Sequence, residues 1–301
     1  MKLLKYLFTI ALFWFSIIVS VAAQSNVSLY GSVKGSDYTS SDIVPNDWPV
    51  SITAVRLDNN SQTKKTSKGG SFHVAAPRNT LIDLVFCSTG YGDYTVGRIN
   101  TAGLSEYRVP PVPVSLNKIV KESALVGRPR TKLGQARTTA QRTGEIDIFL
   151  YNLEVYRSVY AGDRAAMEEI DQFELDLRGD QSFKSQLTPE RVKRWEVYKQ
   201  TLNKSAEKPA VDPSEIMGLV KDESVFPGIR IDMIRKHLDL IDRSTVKTEV
   251  LTYFRKEGSE PASALFAASL VALGKIGNNT TDRQILLENL MSNDSDRQIA
   301  S

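Results

Sequence analysis

The chain has 301 residues, 41% hydrophobic and 24% charged, an ordinary globular composition with room for two packed domains. Its formal charge is +3, and 38 basic residues less Lys2 and Lys5 of the apolar leader leave 36 against 35 acidic ones, which gives no ground for a nucleic-acid partner. Cys87 is the single cysteine, so no intramolecular disulfide can form.

Lys2 and Lys5 precede an apolar run from Leu7 to Ala23, with small residues Val21 and Ala23 where a signal peptidase reads them. No charge cluster follows Ala23, so residues 1–23 read as a cleaved secretory signal peptide, with an uncleaved membrane anchor as the alternative. The expected location is outside the cytoplasm, periplasmic or extracellular. With Gln24 rather than a cysteine directly after the cleavage point, a lipid-anchored precursor is disfavoured.

From Asn26 to Asn117 the pattern is that of short strands. Val27, Leu29, Gly31 and Val33 alternate with polar residues, as do Val50, Ile52 and Ala54 after a polar loop. Gly69 and Gly70 then read as the turn of a β-hairpin, followed by a strand from Phe72 and, beyond Pro77, another from Leu81 to Phe86. Ile82, Leu84 and Phe86 share one face, with Asp83 and Cys87 opposite, which makes Cys87 a half-buried inert thiol. Gly90 and Tyr91 form a corner. The stretch from Tyr94 to Tyr107 is small and polar and defines no strand, and Val112, Val114 and Leu116 close the domain as a proline-limited edge strand. A sandwich of about seven strands is expected.

The succession LYGSV, WPVSITAV, TKKTSKGGSFHV, LIDLVFCSTGY and VPVSL resembles the carboxypeptidase regulatory-like, transthyretin-like β-sandwich family over about 90 residues. That resemblance implies an accessory fold without a catalytic centre, used for adhesion, folding support or docking.

Residues 118–143 carry seven Lys or Arg against one Glu, with no sustained period, and read as a basic linker. It is a solvated hinge, or alternatively a patch for anionic lipid, glycan phosphate or nucleic acid; with no aromatic residues among the charges the hinge is preferred. Residues 144–301 are helical. Ile146, Phe149, Leu150, Leu153 and Tyr156 fall on one stripe; Asp163 caps a second helix through Ile170, Phe173 and Leu177; Thr188 and Pro189 open a third carrying Trp195. The segment SAEKPAVDPSE is a loop, and Ile229 to Ile241 is another amphipathic helix.

From about 244 to 301 a helix, a short loop at Pro261 and an alanine-rich helix ending LGKIG resemble a HEAT-type repeat. LTYF at Leu251 and LENL at Leu287 lie 36 positions apart. The expected fold class is therefore multidomain, all-β followed by all-α: a seven-stranded sandwich (26–117), then a helical bundle or short solenoid (144–301).

The two histidines, His73 and His237, fall in different domains, so neither a His-based metal site nor a Ser-His-acid arrangement assembles. The run Glu168, Glu169, Asp171, Glu174 and Asp176 reads as a solvated helix face. Asp37, Asp42 and Asp47, and the cluster from Asn293 to Asp296, lack a calcium-loop spacing. The Asn-x-Ser/Thr sites, at Asn59 and Asn203 among others, are acceptors only in a eukaryotic secretory host.

No catalytic residue, cofactor or metal is indicated. The expectation is a non-enzymatic envelope protein that docks a protein partner through Leu287 and Leu290, beside Leu265 and Leu270, with Leu273 in the repeat core. Carbohydrate binding or adhesion through Trp48, Tyr91 and Tyr94 (with Tyr38), or service as an accessory subunit of an envelope hydrolase, is the alternative.

Overall fold

The computed structural model describes residues 26–34, 48–67, 70–113, 118–121, 129–203, 211–260, 263 and 265–292. The leader, Tyr38, the loop aspartates, Gly69 and the Asn293 cluster lie outside the described residues. Two compact units are present. One holds the described residues up to Cys87 and again from Asp93; the other holds Ser88–Gly92 and the described residues from Lys118 onward.

The first unit is a two-sheet, sandwich-like β structure. Strands β1 (Asn26–Lys34), β4 (Ser71–Pro77), β7 (Glu106–Arg108) and β8 (Val112–Pro113) form one sheet, in which β1 pairs antiparallel with β4 and parallel with β7 and then β8. Strands β2 (Ser51–Arg56), β3 (Gln62–Thr66), β5 (Leu81–Cys87) and β6 (Tyr94–Asn100) form the other, in the order β3-β2-β5-β6 and antiparallel throughout. The sheets meet at Phe72 of β4 and Phe86 of β5, whose rings pack edge to face with centroids 5.4 Å apart. Gly31, opposite Phe72 in the ladder, admits that ring: a Cβ there would lie 3.0 Å from the Phe72 ring and 3.0 Å from the Val109 carbonyl oxygen.

Three expectations change here. The strands that flank Gly69–Gly70 are not a hairpin pair, because β3 pairs with β2 and β4 pairs with β1, in different sheets. Strand β3 has no apolar residue and is nearly all exposed, so it lacks the alternation that marks a hairpin partner of β4. The stretch after Tyr94 does form strands. Its first strand pairs regularly from Tyr94 to Val96 and is irregular at Gly97 and Arg98, opposite the register shift between Ile82 and Leu84, where Asp83 Oδ1 accepts from Arg98 N at 2.9 Å with Arg98 in the left-handed region. Finally, β5 buries both faces: Asp83, Val85 and Cys87 are buried along with Leu84 and Phe86.

The helical unit has ten helices among the described residues. Helix α1 (Pro129–Thr143) occupies much of the expected linker, which corrects that reading. Helix α2 (Ile146–Val159) packs against α1 and against α5 (Pro189–Leu202), and is buried on several sides rather than along one stripe. Helix α3 (Arg164–Gly179) is capped by Asp163, whose side chain accepts from Ala166 N; a short α4 (Gln181–Lys184) follows. Helix α5 has Thr188 as its cap and Pro189 in its first turn, as the sequence indicated.

Helix α6 (Pro213–Lys221) begins inside the expected loop, with Asp212 capping Ser214 N. Helix α7 (Pro227–Asp242) is broken at His237, which has non-helical φ/ψ and is buried. Helices α8 (Lys247–Ser259) and α9 (Phe266–Ile276) pack on each other, α7 packs on both, and α10 (Thr280–Leu290) packs on α8 and α9. Gly258 sets the approach of α8: a Cβ there would lie 3.3 Å from both Leu270 and Leu273.

Why α1 forms at all is visible in its partners. Arg130 pairs with Asp176 at 2.6 Å and Arg137 with Asp180, so two cations of the basic stretch meet carboxylates of α3 and its C-cap. Leu133 of α1 is buried against this frame. The acidic run is accordingly not a purely solvated face. Asp171, Glu174 and Asp176 all engage cations, although Glu168 keeps to the surface with Arg164.

Candidate functional site

Helix α10 has an inverted pattern. Its cap Asn279 accepts from Asp282 N at 2.9 Å, and Asp282 Oδ2 accepts in return from Asn279 N and from Asn278 N, forming a capping box. Arg255 of α8 clasps the Asp282 carboxylate, with Nε 2.5 Å from Oδ1 and the second nitrogen 3.2 Å from Oδ2. Burial works against the charged form of Asp282. Arg255 and the two backbone N–H groups outweigh it and hold the carboxyl below its ordinary value.

Two turns on, Asn289 is also buried and donates to Gly258 O at 3.3 Å and to Ile285 O at 2.8 Å. The buried stripe of this helix is thus Asp282, Ile285 and Asn289. The leucines are left outside: Leu287 is 51% exposed, Leu290 50% and the following Met291 82%. A helix that commits Asp282 and Asn289 inward in defined hydrogen bonds and presents leucines to solvent offers an apolar surface without a partner among the described residues.

Of the expected neighbours, Leu265 and Leu270 do not belong to that surface. Both are buried in the α8–α9 packing, as is Leu273. The small residues of α9 and Gly258 let the helices approach closely enough to cover them. Met291 was not singled out from the sequence, although it directly follows LENL.

The aromatic candidates are placed differently. Trp48 is half-buried before β2, and Tyr94 is half-buried at the start of β6 with its ring 6.4 Å from Phe86. Tyr91 belongs to the helical unit, bridges Lys118 and accepts at its carbonyl from Asn152 Nδ2 at 3.0 Å. Trp48 and Tyr94 belong to the β unit.

A second polar constellation, not anticipated as a unit, lies inside the helical unit. Glu154 of α2 is fully buried, with Trp195 Nε1 donating to it at 2.7 Å, Asn203 Nδ2 at 2.7 Å and Arg157 Nε facing it at 3.3 Å. Arg157 continues to Asp171 and Glu174, and Glu174 receives Lys199 at 2.5 Å and Arg178 at 2.9 Å. Arg178 and Lys199 also lie over the Trp195 ring, 4.3 and 4.6 Å from its centroid.

Burial pushes the Glu154 carboxyl above its ordinary value despite these partners. In Glu174 burial acts in the same direction, but Lys199, Arg178 and Arg157 prevail and hold it low. Both Glu154 oxygens already accept from protein donors, so the cluster is closed on itself and serves packing. The sequence signal for it was a lone Glu set beside the apolar stripe of α2, one turn from Leu150. Asn203, one of the Asn-x-Ser/Thr positions, has its amide committed to Glu154.

Among the described residues no group of three or more His, Cys, Asp or Glu side chains could hold a metal ion, and no helix is long and apolar enough to cross a membrane. His73 pairs with Ser28 across β1 and β4 at 2.5 Å. The β-then-α architecture defines the class of protein. The chain matches no family model, no curated protein and no solved structure in comparison.

Proposed function

We propose that this is a non-enzymatic, exported envelope protein that docks another protein through α10. The observation that carries the reading is the inverted helix: Asp282 and Asn289 are held inside by named hydrogen bonds while Leu287, Leu290 and Met291 face solvent. Such a surface costs solubility unless something covers it, and apolar side chains gathered on one helix end are a common basis of protein recognition. Export rests on the leader pattern of residues 1–23.

Two likenesses support the role. The two-sheet unit is compatible with a carboxypeptidase regulatory-like accessory domain, and the packing of α8, α9 and α10 with a HEAT-type repeat, an architecture that builds binding surfaces from stacked helices. Crosslinking in the native envelope, comparing wild type with Leu290→Lys, tests the reading. A crosslinked partner lost in the variant is expected, and an unchanged set of crosslinks would count against it.

A further inference from the structure

Asn152 is buried on α2, and its whole amide is used by a five-residue segment that comes from between β5 and β6 in the chain. Nδ2 donates to Ser88 O at 2.9 Å and to Tyr91 O at 3.0 Å, and Gly90 N donates to Oδ1 at 2.7 Å. Gly90 sits at φ +79°, a conformation that L side chains rarely adopt, so the turn can present its N–H inward only with glycine there. Ile119 N donates to Gly90 O at 2.9 Å, and Tyr91 bridges Lys118. Thr89, also buried, touches the first turn of α7 so closely that a Cβ on Gly228 would lie 2.6 Å from its Oγ1.

Four backbone groups of one short turn are therefore met by α2 and by Ile119, and α7 gives up a side chain to admit it. An ordinary surface turn would leave these groups to water. We propose that Ser88–Gly92 is a strap built into the helical core, with Asn152 as its positioning residue. The helical unit is thus completed by residues that precede it by some thirty positions, and the chain cut between Glu122 and Arg128 stays together as a non-covalent complex. The strap holds through hydrogen bonds that only an amide at position 152 supplies, two donors and one acceptor on one planar group.

Amide exchange on the full chain reads this directly. The Gly90 amide is expected to exchange at least ~100-fold more slowly than in an unstructured chain, like a core amide rather than a loop amide. In Asn152→Leu it accelerates to within ~10-fold of the unstructured rate while the amides of Ile170 and Phe173 keep their protection. Gly90 exchanging as an open loop in wild type, or equally protected in a folded Asn152→Leu, would overturn the proposal. Should that variant fail to fold, the wild type decides: with a site-specific protease sequence placed between Ala124 and Leu125, the nicked chain elutes as one species under native conditions. Separation into two fragments refutes the strap.

Discussion

Replacing Glu154 by leucine removes the acceptor that Trp195 Nε1 and Asn203 Nδ2 both use at 2.7 Å. Two buried donors left unmet at about 1–3 kcal/mol each cost roughly 2–6 kcal/mol. Arg157 keeps Asp171 and Glu174, and a leucine does not have to be desolvated as a carboxylate does, so the centre of that range, about 4 kcal/mol, is the expected loss. For a unit of this size it lowers Tm by roughly 8–16 °C. Adding Trp195→Phe, which removes one orphaned donor, should recover about 1 kcal/mol of it.

Glu154→Gln keeps an acceptor for Trp195 and isolates the charge. Burial raises the carboxyl above its ordinary value, so the folded chain holds that proton more tightly than the unfolded chain. The contribution of this group is then fullest below the unfolded value and declines as pH rises through the folded one. Stability of the Gln variant relative to wild type should accordingly increase from pH 4 to pH 7. Urea unfolding at the two pH values measures both effects. A leucine variant within about 0.5 kcal/mol of wild type, or a Gln advantage that shrinks with rising pH, would refute the reasoning.

Asp282→Ala breaks both the capping box and the Arg255 pair and is expected to cost about 3 kcal/mol, read by thermal unfolding. Because the Asp282 carboxyl is held low in the fold, its contribution is present above the unfolded value and lost as pH falls through the folded one, so the variant's deficit should narrow in acid. Gly277→Ala places a Cβ 2.5 Å from Leu273 O and should destabilise by about 1–3 kcal/mol, although its backbone angles would suit any residue. Leu290→Lys should leave urea unfolding within about 0.5 kcal/mol of wild type, whereas Leu273→Lys, at a site 1% exposed, should abolish the cooperative transition of the helical unit.

The parts of the fold written in local patterns were legible in the sequence. Alternation in VSLYGSV and VSITAV, the caps at Asp163 and Thr188, and the LGKIG helix end each depend on residues a few positions apart. What was not legible depends on distant partners. Residues 118–143 had no apolar period because α1 buries only Pro129, Leu133, Ala140 and Thr143 as it packs on α2 and α3, and its Arg130 and Arg137 meet Asp176 and Asp180 some forty positions away, so parts of two charge runs that each read as solvated pair with one another.

The Gly69–Gly70 turn gives no sign of whether its flanking strands pair or part. For the candidate surface, Leu287 and Leu290 were visible as residues but their exposure was not. It follows from the inward commitment of Asp282 to Arg255 and of Asn289 to Gly258, which no helical period announces.

The docking claim meets its most direct test in envelope crosslinking followed by quantitative mass spectrometry of three chains: wild type, Leu290→Lys and Leu175→Lys. Leu175 is 64% exposed on α3, so its lysine controls for a charge added to an unrelated apolar spot. The account predicts a partner crosslinked by wild type and Leu175→Lys and lost, at equal protein level and equal Tm, from Leu290→Lys. Identical partners across all three chains would contradict it.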